Sequence, residues 1–415
     1  MKKPQMMRTA TAAAAAAAAV VLAGTIAQAD TGSASGSAGS STGSAGSSTG
    51  SAGSSTGSSG SAGDQGPDHI FYIMMENHGY SQVIGNTADA PYINQLAQTA
   101  NVETNFHGVT HPSLPNYLAA VSGDFQGIWD DCKAGAASTC APEEFVPSSG
   151  DATDQVSLTP DQIAAATAKA HMFGGDTIVD QLEGAGKSWK AYMQSMPSAG
   201  FTGEYAPGLV NGQNVKLYAQ KHNPFAYFSK VYGNPTRAAK VVPQEGNLDA
   251  DLASGNVPNF VWISPDQCHD MHGMAPAAAQ AAGFPACGYP DSGLDHGAIG
   301  MGDQYLKDTI AKITASPVWS KGRNSIVISW DENDYSGNSG GPGSPVGLNG
   351  GVLGGGDAPM MVLNNQGNDQ KGHQVTTLAD HYSVLATIEK LWHMGCLANT
   401  CSPATSGSLE EMFHQ

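Results

Sequence analysis

Positive charge is scarce in this chain: 18 Lys and Arg stand against 36 Asp and Glu in 415 residues, a net charge of −18. Such a surface repels nucleic acid and anionic membranes, so functions that need a basic face are excluded. An anionic substrate would have to be attracted locally, which favours a bound cation. Cysteine is sparse as well. There are six, and no two share the C-x-x-C spacing of a zinc site, which leaves a zinc reading weaker than a set of disulfides. No apolar stretch is long enough and rich enough in Leu, Ile and Val to hold firmly in a bilayer, so stable membrane insertion is not expected.

The short apolar stretch that does occur has another reading. Lys2, Lys3 and Arg8 precede an alanine run with Val20, Val21 and Leu22, and Ala27-Gln28-Ala29 supplies small residues for cleavage. That order predicts a secretory signal peptide over 1–29 and an extracytoplasmic protein. Its removal takes three basic residues and no acidic one, carrying the net charge from −18 to −21. Residues 30–65 are almost only Gly, Ser, Ala and Thr, with Gly-Ser-Ala-Gly-Ser-Ser-Thr recurring from Gly36, Gly43 and Gly50. Such a segment has little to bury against its ordering entropy and reads as a flexible spacer. Residues 66–415 are then expected to form one catalytic domain. In an exported chain the cysteines suggest a disulfide framework. The simplest of many pairings joins neighbours: Cys132 with Cys140, Cys268 with Cys287, and Cys396 with Cys401.

Short apolar runs alternate with helical patterns along this domain. Buried strands are expected at His69 to Met75, Pro258 to Ser264, Asn324 to Trp330 and Pro359 to Leu363. Helices are expected at Ala90 to Ala100, at Ser113 to Val121 with Pro115 tolerated in its first turn, and at His381 to Trp392. The alternation predicts an α/β fold, a central mostly parallel sheet flanked by helices, with ligands beyond the carboxyl ends of the strands.

Four polar clusters sit where these elements end or begin. Glu76-Asn77 closes the first strand and offers oxygen ligands to a hard cation, although alone it would pass for an ordinary turn. Ser113 opens a helix behind Thr110-His111-Pro112. There its hydroxyl would meet free backbone N–H groups and the positive end of the helix dipole, beyond what a plain N-cap serine does. Asp331-Glu332 follows the strand ending at Trp330, and adjacent carboxylates repel unless a cation or a proton lies between them. A solvated acidic loop is the bland alternative. Asp266, His269, Asp270 and His272 fall within seven residues and suit metal binding or proton transfer.

Together, Glu76-Asn77, His111-Pro-Ser-Leu-Pro-Asn-Tyr117, Asp270-Met-His272, Trp330-Asp-Glu332 and Asp380-His-Tyr-Ser383 resemble the bacterial phosphoesterase family of the alkaline-phosphatase-like superfamily. That family contains acid phosphatases, phosphatidylinositol-3-phosphatases and phospholipases C. The resemblance implies an alkaline-phosphatase-like sandwich and a hydrolase of phosphoric esters with Ser113 as nucleophile. It implies one divalent metal ion per chain, held by Glu76, Asn77, Ser113, Asp331 and Glu332. The second-metal pattern of the superfamily, an aspartate and a histidine four apart, reads Asp266 and Asp270 here. His111, His269, Asp270 and His272 are therefore expected to serve phosphate and leaving group, with His272 as general acid and His111 in positioning. Lys221-His-Asn-Pro-Phe225 and Trp189-Lys-Ala-Tyr192 also match the family without a settled role; His222 could line the pocket or be structural. The chain runs only a short way past Cys401, and so compact a member is expected to be a secreted acid phosphatase, with phosphoinositides or other phospholipids as possible substrates. A phospholipase C-type diesterase is the alternative, and a silent phosphate- or metal-binding surface protein a distant third.

Overall fold

The computed structural model describes residues 66–143, 157–337, 339–366, 372–405 and 409–413. The expected signal peptide and spacer, 1–29 and 30–65, lie outside the described residues. Among the described residues there are ten strands: β1 His69–Met75, β2 Asn101–Glu103, β3 Trp189–Met193, β4 Tyr205–Val210, β5 Gln213–Ala219, β6 Val241–Pro243, β7 Phe260–Ser264, β8 Asn324–Trp330, β9 Met360–Asn364 and β10 Gln374–Val375. Eight form one sheet in the order β10-β2-β9-β8-β1-β7-β3-β6, while β4 and β5 form a separate hairpin. Pairings among β8, β1, β7, β3 and β6 are all parallel; β9 runs antiparallel to both β8 and β2. The sheet is thus α/β and mostly parallel, as expected.

β1, with Ile70, Phe71, Tyr72, Ile73, Met74 and Met75 buried, and β8, buried throughout, occupy the middle. A continuous apolar run covered on both faces is what a central parallel strand requires. Several expected limits shift: β7 starts at Phe260 instead of Pro258, β9 spans Met360–Asn364 instead of Pro359 to Leu363, and the helix expected to reach Trp392 ends at Leu391. The helix expected over Ala90 to Ala100 spans Pro91–Leu96, because Ala97 caps it and the chain must turn into β2 at Asn101. The helix that begins at Ser113 runs Ser113–Ser122 and stops at Gly123, whose φ of 69° provides the left-handed cap. The helix His381–Leu391 starts on an Asp380 cap and buries Val384, Leu385 and Ile388. All three neighbouring cysteine pairs are bonded. Among the described residues no helix is long and apolar enough to cross a membrane.

Candidate active site

The three central strands bring their carboxyl ends together. β1 pairs with β8 in the register Met75 to Trp330, so Glu76-Asn77 and Asp331-Glu332 emerge side by side. Asp331 N–H donates to Met75 O at 2.9 Å and Asn77 N–H to Asp331 Oδ1 at 3.0 Å. From the loop after β7, Asp270 O accepts Glu76 N–H at 2.8 Å. Asn77 adopts a left-handed φ of 53° to make this turn, a conformation asparagine tolerates better than most residues. Beneath Asp331, Gly108 is needed for close approach. A Cβ there would lie 2.8 Å from Asp331 O and 2.9 Å from Gly355 Cα.

Ser113 faces this junction. Its Oγ donates to Glu76 Oε2 at 2.8 Å and lies 3.4 Å from Glu332 Oε1. Asn116, one turn on, stitches the approach to Ser113. Its Oδ1 accepts Val109 N–H at 2.7 Å, and its Nδ2 donates to Thr110 O at 2.6 Å and Pro112 O at 3.2 Å. The backbone amide beside Ser113, expected to be free, is not, for Leu114 N–H donates to Asp131 Oδ1 at 3.0 Å.

Glu76, Asp331, Asp270 and Glu332 are all buried. Burial first, then neighbouring carboxylates, holds the Glu76, Asp331 and Asp270 carboxyls well above the usual carboxylate range. Glu76 Oε1, Asn77 Oδ1 and Asp331 Oδ2 are buried without a hydrogen-bond partner. Three crowded carboxylates, two of them with a partnerless oxygen, together with an amide oxygen and a hydroxyl make a donor set of the kind a hard divalent cation takes. Of the expected ligands, Ser113 contacts Glu76 and Glu332, Asn77 contacts Asp331, and their oxygens are of the type that suits a hard cation.

The histidines divide. His111 Nδ1 meets Glu332 Oε2 at 2.7 Å, a contact with an expected ligand and not with a phosphate position. His272 Nε2 lies 3.2 Å from Lys221 Nζ. An ammonium only donates, so Nε2 is the acceptor and the ring is neutral, with Nδ1–H directed to Gly273 O at 2.9 Å. Burial, then Lys221, pushes the His272 pKa down to about 3, so this arrangement does not present the imidazolium that a general-acid role for His272 needs. His269 does not join the cluster. Its Nδ1 contacts Asp266 Oδ1 at 2.8 Å, its ring packs against Phe284 and Tyr305, and it lines a different cavity with Gln194 and Gln244. The turn at Asp266, which also accepts Cys268 N–H, points His269 away from Asp270 and His272.

Sequence reasoning left three residues without a role. His222 Nε2 lies 3.1 Å from Glu76 Oε1 and its Nδ1 3.0 Å from Asp270 Oδ2, misaligned for hydrogen bonds in both cases. Burial, then Lys221 and His272, keeps this ring neutral. Among the described residues, Glu76, His222 and His272 each offer a ligand atom within 4.8 Å of the others. Lys221 Nζ reaches Asp131 Oδ2 at 2.8 Å and Ser113 Oγ at 3.2 Å. The Lys221-His222 fragment was visible in the sequence; Asp131, beside Cys132, carried no signal.

Comparison with known proteins bears on the family. A model of the phosphoesterase family matches residues 86–284 and 291–395. A Kluyveromyces lactis protein named probable acid phosphatase is 27% identical over 332 residues, 78% of this chain and 59% of that protein. A Mycobacterium tuberculosis phosphatidylinositol-3-phosphatase is 24% identical over 269 residues, 65% of this chain and 64% of that one. The chain thus spans about three-fifths of the length of these curated relatives. A Vibrio parahaemolyticus structure from the alkaline phosphatase superfamily aligns over 82% of this chain and 71% of its own, at 14% identity and a TM-score of 0.42. The α/β class rests on the sheet itself and not on that distant likeness. The matched residues take in Ser113, the Lys221-His222 pair, the 266–272 loop and Asp331-Glu332, and on that match the chain belongs to the phosphoesterase family.

Proposed function

We propose that this chain is an exported phosphomonoester hydrolase that depends on one divalent cation and works through a phosphoserine at Ser113. The observation that carries the proposal is Ser113 Oγ, 2.8 Å from Glu76 Oε2 and set among three buried carboxylates. A cation held by Glu76, Asn77, Ser113, Asp331 and Glu332 would supply a Lewis acid that favours the alkoxide and offsets phosphoryl charge. The chain's own groups do the rest. The helix start and Asn116 aim Ser113 Oγ, and Oγ attacks phosphorus in line while its proton moves toward Glu76 Oε2. The departing alkoxide takes one proton from solvent water on the opposite side and the Glu76 proton returns to solvent, so the step balances. Water then attacks the phosphoserine, restores the Ser113 hydroxyl and releases orthophosphate. His111 holds Glu332.

The acid phosphatase and phosphatidylinositol-3-phosphatase relatives support a monoester substrate, phosphoinositides among the candidates. Three disulfides suit an oxidising compartment and support the signal peptide expected over 1–29. The test is hydrolysis of para-nitrophenyl phosphate, alkyl phosphates, phosphatidylinositol 3-phosphate and phosphatidylcholine, with chelator and after divalent cation is restored. Monoester turnover that chelation abolishes and cation restores is the expected result. No turnover of any ester by the cation-loaded protein would contradict the proposal, and preferred cleavage of phosphatidylcholine would replace it with a phospholipase C.

A further inference from the structure

We propose that Lys221 is the phosphate-binding cation of the Ser113 site and that Asp131 is the residue that positions it. The inference rests on the phosphoesterase reading above and deepens it. Lys221 Nζ has three N–H groups and three acceptors: Asp131 Oδ2 at 2.8 Å, Ser113 Oγ at 3.2 Å and His272 Nε2 at 3.2 Å. Its direction is therefore fixed by the fold. Among the described residues it is the one Lys or Arg side chain that contacts any of Ser113, Asp131 or His272. The lysine is only 11% exposed, and burying an ammonium is costly unless it is well paired. Asp131 alone would satisfy a structural ion pair. The remaining two N–H groups are instead spent on a hydroxyl and a neutral imidazole, weak compensation for a buried charge. A phosphoryl group arriving at Ser113 Oγ brings anionic oxygens to that same point. Charge-assisted hydrogen bonds of this kind are roughly twice as strong as neutral ones.

Asp131 is built for the supporting role. Its Oδ2 holds Lys221, while its Oδ1 accepts Leu114 N–H, the residue after the nucleophile, so one carboxylate sets lysine and serine in a common frame. The loop that carries it is braced on both sides. Asp130 Oδ1 contacts buried His171 Nε2 at 2.7 Å, and Cys132 is bonded to Cys140. A cavity of about 510 Å³, lined by Lys221, His272, Gln267, Tyr289 and Glu204, opens onto the ammonium and gives an anionic ester a way in.

The test is equilibrium binding of orthophosphate and of vanadate to the cation-loaded full chain, with metal content and near-UV circular dichroism measured alongside. Lys221→Met should weaken both anions by about tenfold to a hundredfold while metal content stays at the wild-type level. Asp131→Asn gives the sharper readout. Removing a negative charge beside an anion site should by simple electrostatics tighten phosphate. If Asp131 acts by holding Lys221, affinity falls instead. The double variant Asp131→Asn/Lys221→Met replaces the ion pair with a neutral one and keeps the test alive if the single lysine variant does not fold. Unchanged anion affinity in Lys221→Met or in the double variant would overturn the proposal, as would tighter binding in Asp131→Asn. Loss of metal from folded Lys221→Met would also overturn it, by making the lysine a prop for the cation cage. A loaded wild type that binds neither anion and cleaves no ester would sink both readings. Activity in wild type with undiminished anion binding in the variants would sink this one alone.

Discussion

Replacing Asn116 with alanine should damage both stability and turnover, although the side chain is not expected to touch substrate. Asn116 is fully buried, and its amide bonds Val109 N–H at 2.7 Å, Thr110 O at 2.6 Å and Pro112 O at 3.2 Å. The alanine variant leaves at least the first two of these without their short partner. A buried polar group stripped of its partner costs about 1–3 kcal/mol, so the pair costs roughly 2–6 kcal/mol. That is a large share of a typical total stability of about 5–15 kcal/mol. The same bonds hold the 109–112 turn that delivers Ser113, and a displacement of about 1 Å at a nucleophile can cost about a hundredfold in rate. Equilibrium urea unfolding and kcat/KM on para-nitrophenyl phosphate measure the two effects. Asn116→Asp separates them further. It keeps the acceptor for Val109 N–H but loses the donors to Thr110 and Pro112, and it sets a carboxylate near Glu332 Oε2, now 3.4 Å from Asn116 Nδ2. A stability loss below about 1 kcal/mol for Asn116→Ala, with kcat/KM unchanged, would refute the reasoning.

Glu76→Ala and Asp331→Ala should each lose bound cation and activity together, since each removes an anionic oxygen ligand; full metal occupancy in both would reject the cage as drawn. The cation-free protein should grow more stable as pH falls. The folded-state pKa values of Glu76, Asp331 and Asp270 are raised, so their contribution is fully present below the ordinary carboxylate values, near 4.5 and 3.8, and is lost as pH rises through the raised ones. Unfolding midpoints across pH with and without saturating cation check this, the cation being expected to offset the loss at high pH. Gly356→Ala should destabilise the Asp331–Asn333 segment, because φ is 73° and a Cβ would fall 2.0 Å from Asn333 Nδ2. Wild-type thermal stability in that variant would show that the loop is free to move.

The central strands were legible because they are buried on both faces and leave unbroken apolar runs: β1 and β8 match the expected limits residue for residue. The candidate ligands were legible for the same reason, since a carboxylate ending such a run is conspicuous. Short strands such as β2, β6 and β10 carry too few residues for a period to show, and the β4–β5 hairpin packs outside the main sheet. What periodicity cannot convey is which loops from distant parts of the chain meet. Asp131, Lys221 and His222 reach the site from segments whose local pattern says nothing of each other. His269 misled because closeness in sequence to Asp270 suggested a shared target, whereas the turn capped by Asp266 sends the two side chains apart.

The central claim is that Ser113 is phosphorylated during turnover. Acid quenching of the cation-loaded protein during hydrolysis of a phosphate monoester, followed by peptide mass spectrometry, measures this directly. The account predicts a single added phosphate on Ser113, absent from Ser113→Ala, which should keep its fold and less than about one per cent of wild-type activity. A fully active Ser113→Ala, or a phosphoryl group trapped on another residue, would contradict it.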